Sequence, residues 1–389
     1  MNICMIGCWY KDDLYSHSCY NLIQALKTEC NIDVRLVTSN CGCFTSAQRF
    51  ACTKEELVNT NCAVINIPYA PPSPSKKYGL LKYYAVKVLQ LNTFLEISRG
   101  FAFYKTTKDY DLIHFDQVLK SFGFLSFITL LYLSGRNGKK IVVTVHEIDP
   151  LQERHRNLNR FYNKADRIIV HSQDLKNELI RLGVKEEKIE VIPFGVTLES
   201  LKSVPRDQFI FFGGHRLFKG KGFDTLLNAM KIIKSKGITE KLIIYVGEGC
   251  VGLEEGKKVV HDMGLDDTVI WSNFLSGSKL SEAYQKSIAC VLPYTGGSGR
   301  YPVTSAMANA TPVIATRKAS LPEYLGDLGV YIKEDSPEEL AAAMMYLISN
   351  KDKVNSLGGQ LRKRVAEQFS WEVIAKKISN SYKEIAESN

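Results

Sequence analysis

The feature that most constrains the fold is an alternation, made twice, of short apolar runs with longer segments of helical period. The first series predicts strands at Asn2 to Ile6, Asp33 to Thr38, Ala63 to Ile67, Asp111 to Phe115, Lys140 to Val145 and Asp166 to His171. Helices are expected between them at about Cys19 to Leu26, Leu80 to Tyr104, Phe122 to Leu133, Gln152 to Lys164 and Leu175 to Leu182. Several of the strand runs are nearly continuous apolar runs, as expected of strands covered on both faces, so the sheet is read as parallel with helical crossovers. Pro193, Gly195 and a polar stretch to Arg206 separate this series from a second. Its strands are expected at Phe209 to Phe212, Lys241 to Val246, Thr268 to Trp271, Ser287 to Leu292, Pro312 to Ala315 and Val330 to Ile332.

A chain of 389 residues exceeds what one core ordinarily organises, which agrees with two α/β lobes. Charged residues at 23% and hydrophobic residues at 45% leave no long disordered tract. Eight of the ten cysteines (Cys4, Cys8, Cys19, Cys30, Cys41, Cys43, Cys52 and Cys62) precede residue 63, without the CxxC spacing of a zinc site, and read as reduced thiols. The chain opens directly on a strand rather than on a charged and then apolar leader, so a cytoplasmic location is expected. The most apolar run, Phe122 to Leu133, is shorter than the roughly 20 residues a membrane span needs and reads as a buried helix.

The formal charge of +9 raises nucleic acid, an anionic membrane surface or an acidic substrate as partners. Between Lys76 and Lys108 seven Lys or Arg residues stand against Glu96 alone, interleaved with Tyr78, Tyr83, Tyr84, Phe94, Phe101, Phe103 and Tyr104. Such a segment reads either as a peripheral contact with the inner face of a membrane or as a solvated face with core aromatics. The nucleic-acid reading rests on net charge only.

Two loops carry the chemistry. After Phe209 to Phe212 come Gly213 and Gly214, then Arg216, Lys221 and Gly222 before a helix expected over Phe223 to Ile233. A strand-to-helix turn offers backbone N–H groups and the positive end of a helix dipole, and two cations beside it complete an anion clamp. After Ser287 to Leu292, Gly296, Gly297, Ser298, Gly299 and Arg300 lead to Pro302, expected as the first residue of a helix reaching Asn309. The first loop alone reads as a solvated basic turn; two in one lobe, at the carboxyl ends of its strands, read as a phosphate site.

With these residues in view, the chain resembles the family 4 retaining glycosyltransferases. The segments that carry the resemblance are "ADRIIVHSQDLKNELIRLGVKEEKIEVIPFGV", "FFGGHRLFKGKGFDTLLNAM", "YVGEG", "ACVLPY", "SAMANATPVIAT", "LPEYLG" and "FSWEVIAKKI". The resemblance implies an α/β fold of two facing Rossmann-like domains, the GT-B architecture: an acceptor-side domain at 1–195, a nucleotide-sugar domain at 196–369, and a C-terminal helix at 370–389 returning to the first. It implies a glycosyltransferase that moves a sugar from a nucleotide-diphosphate sugar to a glycan, lipid-linked or protein acceptor with retention. No cofactor or metal is implied.

His146, Arg216 and Lys221 are the implied catalytic residues, His146 ending the strand "IVVTVHE" as a donor to the sugar; His114 is a weaker candidate with Asp116 nearby. Gly214, Gly297, Ser298, Gly299, Arg300, Tyr301, Ser305 and Glu323 would bind the donor. Trp9, Tyr10, Ser16 and His17, in a loop lacking the paired glycine of the family, would line the acceptor side. The chain departs from the family at two positions that ordinarily hold glutamates and here are Gly297 and Ser305. That departure motivates a second reading, a noncatalytic sugar-nucleotide-binding or partner subunit of a glycosylation complex.

Overall fold

In a computed structural model the chain divides into two compact units, Met1–Pro193 with Trp371–Asn389, and Phe194–Ser370. The structure describes residues 1–6, 14–39, 63–65, 91–116, 124–148, 160–218, 220–272, 277–297 and 299–388.

Among the described residues the first unit holds strands β1 (Ile3–Ile6), β2 (Val34–Ser39), β3 (Ala63–Ile65), β4 (Leu112–Asp116), β5 (Lys140–Val145), β6 (Arg167–Val170) and β7 (Ile189–Val191). Its helices are α1 (Leu14–Cys30), α2 (Leu91–Thr107), α3 (Phe124–Arg136) and α4 (Gln173–Arg181). The strands pair in the order β3-β2-β1-β4-β5-β6-β7, every pair parallel. Alternation sorts the side chains: Ile3 and Met5 join one core, Cys4 and Ile6 the other, so the sheet is covered on both faces. β7, three residues with two half-buried, was too short to stand out in the sequence. α1 starts at Leu14, which places Ser16 and His17 in a helix rather than in the loop expected of them. α2 runs on to Thr107, past the expected end, and the expected helix over Gln152 to Lys164 is represented in the described residues by one 3-10 turn, Arg160–Lys164.

The second unit holds β8 (Gln208–Arg216), α5 (Phe223–Ser235), β9 (Lys241–Val251), α6 (Leu253–Asp262), β10 (Val269–Ser272), α7 (Ser278–Gln285), β11 (Ser287–Leu292), α8 (Arg300–Ala308), β12 (Val313–Thr316), α9 (Leu321–Leu325), β13 (Val330–Ile332), α10 (Pro337–Ser349) and α11 (Lys351–Gln368). The parallel order β10-β9-β8-β11-β12-β13 reverses direction between β8 and β11. Ligands of open parallel sheets bind beyond the strand ends at such a switch.

Two expectations need correction here. Gly213 and Gly214 do not end β8; the strand passes through them to Arg216, with irregular register against β9 that lets a short glycine segment stay paired. α8 begins at Arg300, two residues before Pro302, because Gly299 adopts a positive φ of 60° and starts the helix there.

The last helix, α12 (Trp371–Glu387), packs into the first unit: Ile374, Ala375, Ile378, Tyr382 and Ile385 are buried with Ile3, Leu22, Leu26 and Val34. No described helix is long and apolar enough to cross a membrane.

Candidate functional site

In the second unit the loops after β8 and β11 touch. The carbonyl of Gly220 accepts from the backbone N–H of Thr295 (3.2 Å) and of Gly296 (3.1 Å). Gly222 caps α5 at φ 62°, and a Cβ there would lie 1.9 Å from the carbonyl oxygen of Pro293. Only glycine permits both that φ and that approach. Between the two glycines Lys221 points its Nζ at the ring of Tyr294, 4.0 Å from the centroid, while the Tyr294 hydroxyl donates to the Phe212 carbonyl at 2.6 Å. Burial lowers the Lys221 ammonium to about 8 from 10.5, opposed by its interaction with the Cys250 thiol. A lysine so desolvated gains most when an anion arrives.

The first turn of α8 adds a second cation. Arg300 is its first residue and is 4% exposed, and the first turn of a helix leaves backbone N–H groups without intrahelical partners. Tyr324 lies within its influence: burial pushes that phenol up to about 12, Arg300 and the N–H of Phe194 pull it down, and Glu323 pushes it up. Tyr301 follows, half-buried, its phenol pushed up to about 12 by desolvation and hydrogen-bonded with Ser305, its ring 5.6 Å from that of Phe212. Phe212 in turn stacks on Tyr245 at 4.8 Å.

In the first unit a polar chain threads the carboxyl ends of β4, β5 and β6. Parallel register sets Val145 beside Val170, so the next residues, His146 and His171, stand side by side. His171 Nε2 lies 2.9 Å from His146 Nδ1, His146 Nε2 lies 2.5 Å from Asp116 Oδ1, and His171 Nδ1 faces the Ile192 carbonyl at 2.9 Å. Beneath them His114 bridges Tyr382 (2.6 Å) and Thr144 (2.7 Å), and burial lowers it to about 4, partly offset by Asp116. Burial raises the Asp116 carboxyl, but the charge and hydrogen bond of His146 outweigh it and hold the group below the usual carboxylate range.

The sequence profile "Glycosyltransferase Family 4" matches residues 16–200, and "Glycosyl transferases group 1" matches 206–350. The chain belongs to the family 4 glycosyltransferases. It is 26% identical over 214 residues to the MMP alpha-(1->4)-mannosyltransferase of Mycolicibacterium hassiacum, covering 54% of this chain and 51% of that one. The chain spans between about half and six tenths of the length of the curated relatives it matches. Among solved structures it resembles Alr3699/HepE of Anabaena in complex with UDP and glucose (TM-score 0.72, 18% identity, 98% of this chain and 99% of that one). It also resembles the sucrose-phosphate synthase of Thermosynechococcus elongatus (TM-score 0.73, 19% identity, all of both chains). Both likenesses are of fold, the GT-B arrangement of Rossmann-like units.

In this family 4 member the structure gathers Lys221, the Gly296–Gly297 turn and the α8 residues Arg300, Tyr301 and Ser305 at one switch point of the second unit. Gly214, at φ 65°, shapes the end of β8 beside the Phe212 ring. Arg216 sits at the last position of β8 opposite Val251, exposed. Glu323 is exposed on the five-residue α9, its carbonyl held by Arg364 at 3.1 Å. Gly297 is exposed at φ 78° with nothing within 4 Å of a built Cβ, whereas Ser305 is buried. Trp9, Tyr10 and Ser298 lie outside the described residues, as do the side chains of Ser16 and His17. Sequence reasoning missed Tyr294, the ring under Lys221, and His171, whose signal was its place at a strand end.

Proposed function

We propose that this chain transfers a sugar from a nucleotide-diphosphate sugar to a hydroxyl of a glycan, lipid-linked or protein acceptor, retaining the anomeric configuration. The observation that carries the reading is the junction of the two loops through Gly220, which sets Lys221 at the β8/β11 switch with α8 opening on Arg300. Negative charge grows on the diphosphate as the glycosidic bond breaks. Lys221, Arg300 and the N-terminal amides of α8 meet that charge, with Arg216 at the rim, and no divalent ion is required of them. Tyr301 and Ser305 are the residues we assign to the rest of the nucleotide, with Glu323, the acidic candidate nearest in sequence, acting on Tyr324. A mannosyl donor has support in the named activity of the relative above.

The absence of carboxylates at Gly297 and Ser305 supports the second reading, a noncatalytic sugar-nucleotide-binding subunit. Thermal stabilisation by a panel of nucleotide diphosphates and nucleotide-sugars, followed by donor hydrolysis, separates the two. Turnover establishes the transferase, binding without turnover the subunit, and no binding removes the donor site. A peripheral membrane contact is proposed for the basic segment 76–108, of which 76–90 lie outside the described residues, together with α3. Phe101 (46% exposed) and Tyr132 (61%) stand out from them among exposed Lys105, Lys108 and Arg136.

A further inference from the structure

His146 entered as a donor to the sugar, and its surroundings give it a different part. Both of its ring nitrogens are bonded inside the protein, to Asp116 and to His171, and the residue is 5% exposed. The hydrogens of this chain can be counted. A carbonyl only accepts, so His171 Nδ1 donates to Ile192. One hydrogen lies between the two rings and one between His146 and Asp116. If Asp116 is ionised, three N–H hydrogens sit on two rings, one more than two neutral imidazoles carry; if Asp116 is protonated, both rings are neutral. Total charge is the same, so the question is where the proton resides.

We propose that Asp116, kept ionised by a proton that His146 and His171 share, is the group with which the first unit receives a substrate hydroxyl. The inference rests on the glycosyl-transfer reading for the identity of that hydroxyl. Asp116 closes β4 beside β1, where the strand order of this sheet reverses. Its side chain is 10% exposed against 4% for His146, so the carboxylate is the more accessible of the two. A carboxylate offers about four lone-pair positions. His146 fills one, and the weak thiol donor Cys19 of α1 reaches another. Among the described residues, the titratable groups facing it are His114 on β4, His146 at the end of β5, Cys19 on α1 and Tyr382 on α12, with His171 behind His146. With a hydrogen in each of the three bonds, an ionised Asp116 requires the extra proton to lie on the pair of rings. His171 is a positioning residue: by accepting from His146 Nδ1 it lets that ring keep an N–H on each nitrogen.

The test uses the full chain labelled with 15N-histidine, with ring protons read from two-bond proton–nitrogen spectra near neutral pH. Three N–H groups on His146 and His171 are expected in the wild type, and two in Asp116→Asn. Titration with methyl mannoside and methyl glucoside should shift the His146 and His171 signals in the wild type. The dissociation constant should rise about tenfold or more in Asp116→Asn, with the affinity for UDP and GDP unchanged. His171→Phe keeps the inference testable should Asp116→Asn not fold: His146 then becomes a neutral ring with its hydrogen on Nε2, and glycoside binding weakens. Two neutral rings in the wild type, or glycoside shifts absent at high concentration, or glycoside binding equal in both variants and the wild type, would overturn it. Donor turnover is a separate measurement, so failure of the glycosyl-transfer reading would show there and not in the ring-proton count.

Discussion

The Lys221 ammonium stands 4.0 Å from the centre of the Tyr294 ring, in a setting that brings it to about 8. Because this value lies below the 10.5 of a free lysine, the unfolded chain binds a proton between the two that the folded chain does not. The contribution of Lys221 to stability therefore rises as pH climbs from about 8 toward 10.5, while the charge available to a diphosphate falls over the same range. Calorimetric titration with UDP or GDP should show affinity dropping above pH 8 in the wild type. Lys221→Ala should be weak at every pH, with its melting temperature little changed; a variant that loses folding and binding together would remove the phosphate assignment.

Excess EDTA should leave transfer or donor hydrolysis unaltered, since Lys221, Arg300 and the α8 amides supply the positive charge. A rate that collapses with EDTA and returns with magnesium or manganese would show that these groups are not sufficient.

Gly222→Ala places a methyl group 1.9 Å from the Pro293 carbonyl at a φ of 62°. A loss of about 2 kcal/mol or more is expected from strain and displacement together. Gly297→Ala, at φ 78° in open space, carries the φ term alone and should cost about 1 kcal/mol. Denaturant unfolding of the two variants side by side measures the difference.

His114 is neutral in the fold, with a value near 4 against 6.5 in the open chain. Acidification through that window protonates the unfolded state first, so the first unit loses stability as pH falls from about 6.5 to 4. Tyr382→Phe, which strips His114 of one partner, should cost about 1–3 kcal/mol at neutral pH. Unfolding followed at several pH values checks both.

Vesicles rich in anionic lipid should bind the chain and neutral vesicles should not, with binding falling as salt rises. Replacing Lys105, Lys108 and Arg136 with glutamate should abolish sedimentation with the anionic vesicles. Undiminished binding would return this surface to a solvated face.

The architecture was legible because parallel strands buried on both faces write themselves as nearly continuous apolar runs, and β5 and β11 were bounded correctly for that reason. Boundaries failed where glycine acts against its usual meaning. Gly213 and Gly214 read as a stop yet lie inside β8, and Gly299 starts α8 ahead of the proline that seemed to mark it. The donor loops could be read because each is contiguous. The Asp116, His146 and His171 chain could not, since its members come from three strands and meet only through the register that aligns the ends of β4, β5 and β6.

The packing of α12 into the first unit has a consequence for synthesis. The second unit, residues 194–370, is one uninterrupted stretch, whereas the first lacks Ile374, Ile378 and Tyr382 until the whole second unit has been made. Domains ordinarily mature from the amino end as they leave the ribosome. Here the amino-terminal half must wait, its hydrophobic flank beside Ile3 and Val34 uncovered, while the half made later closes first. A nascent chain stalled before Trp371 would thus present a finished nucleotide-type fold joined to an unfinished partner, and chaperone demand should concentrate on the part translated earliest.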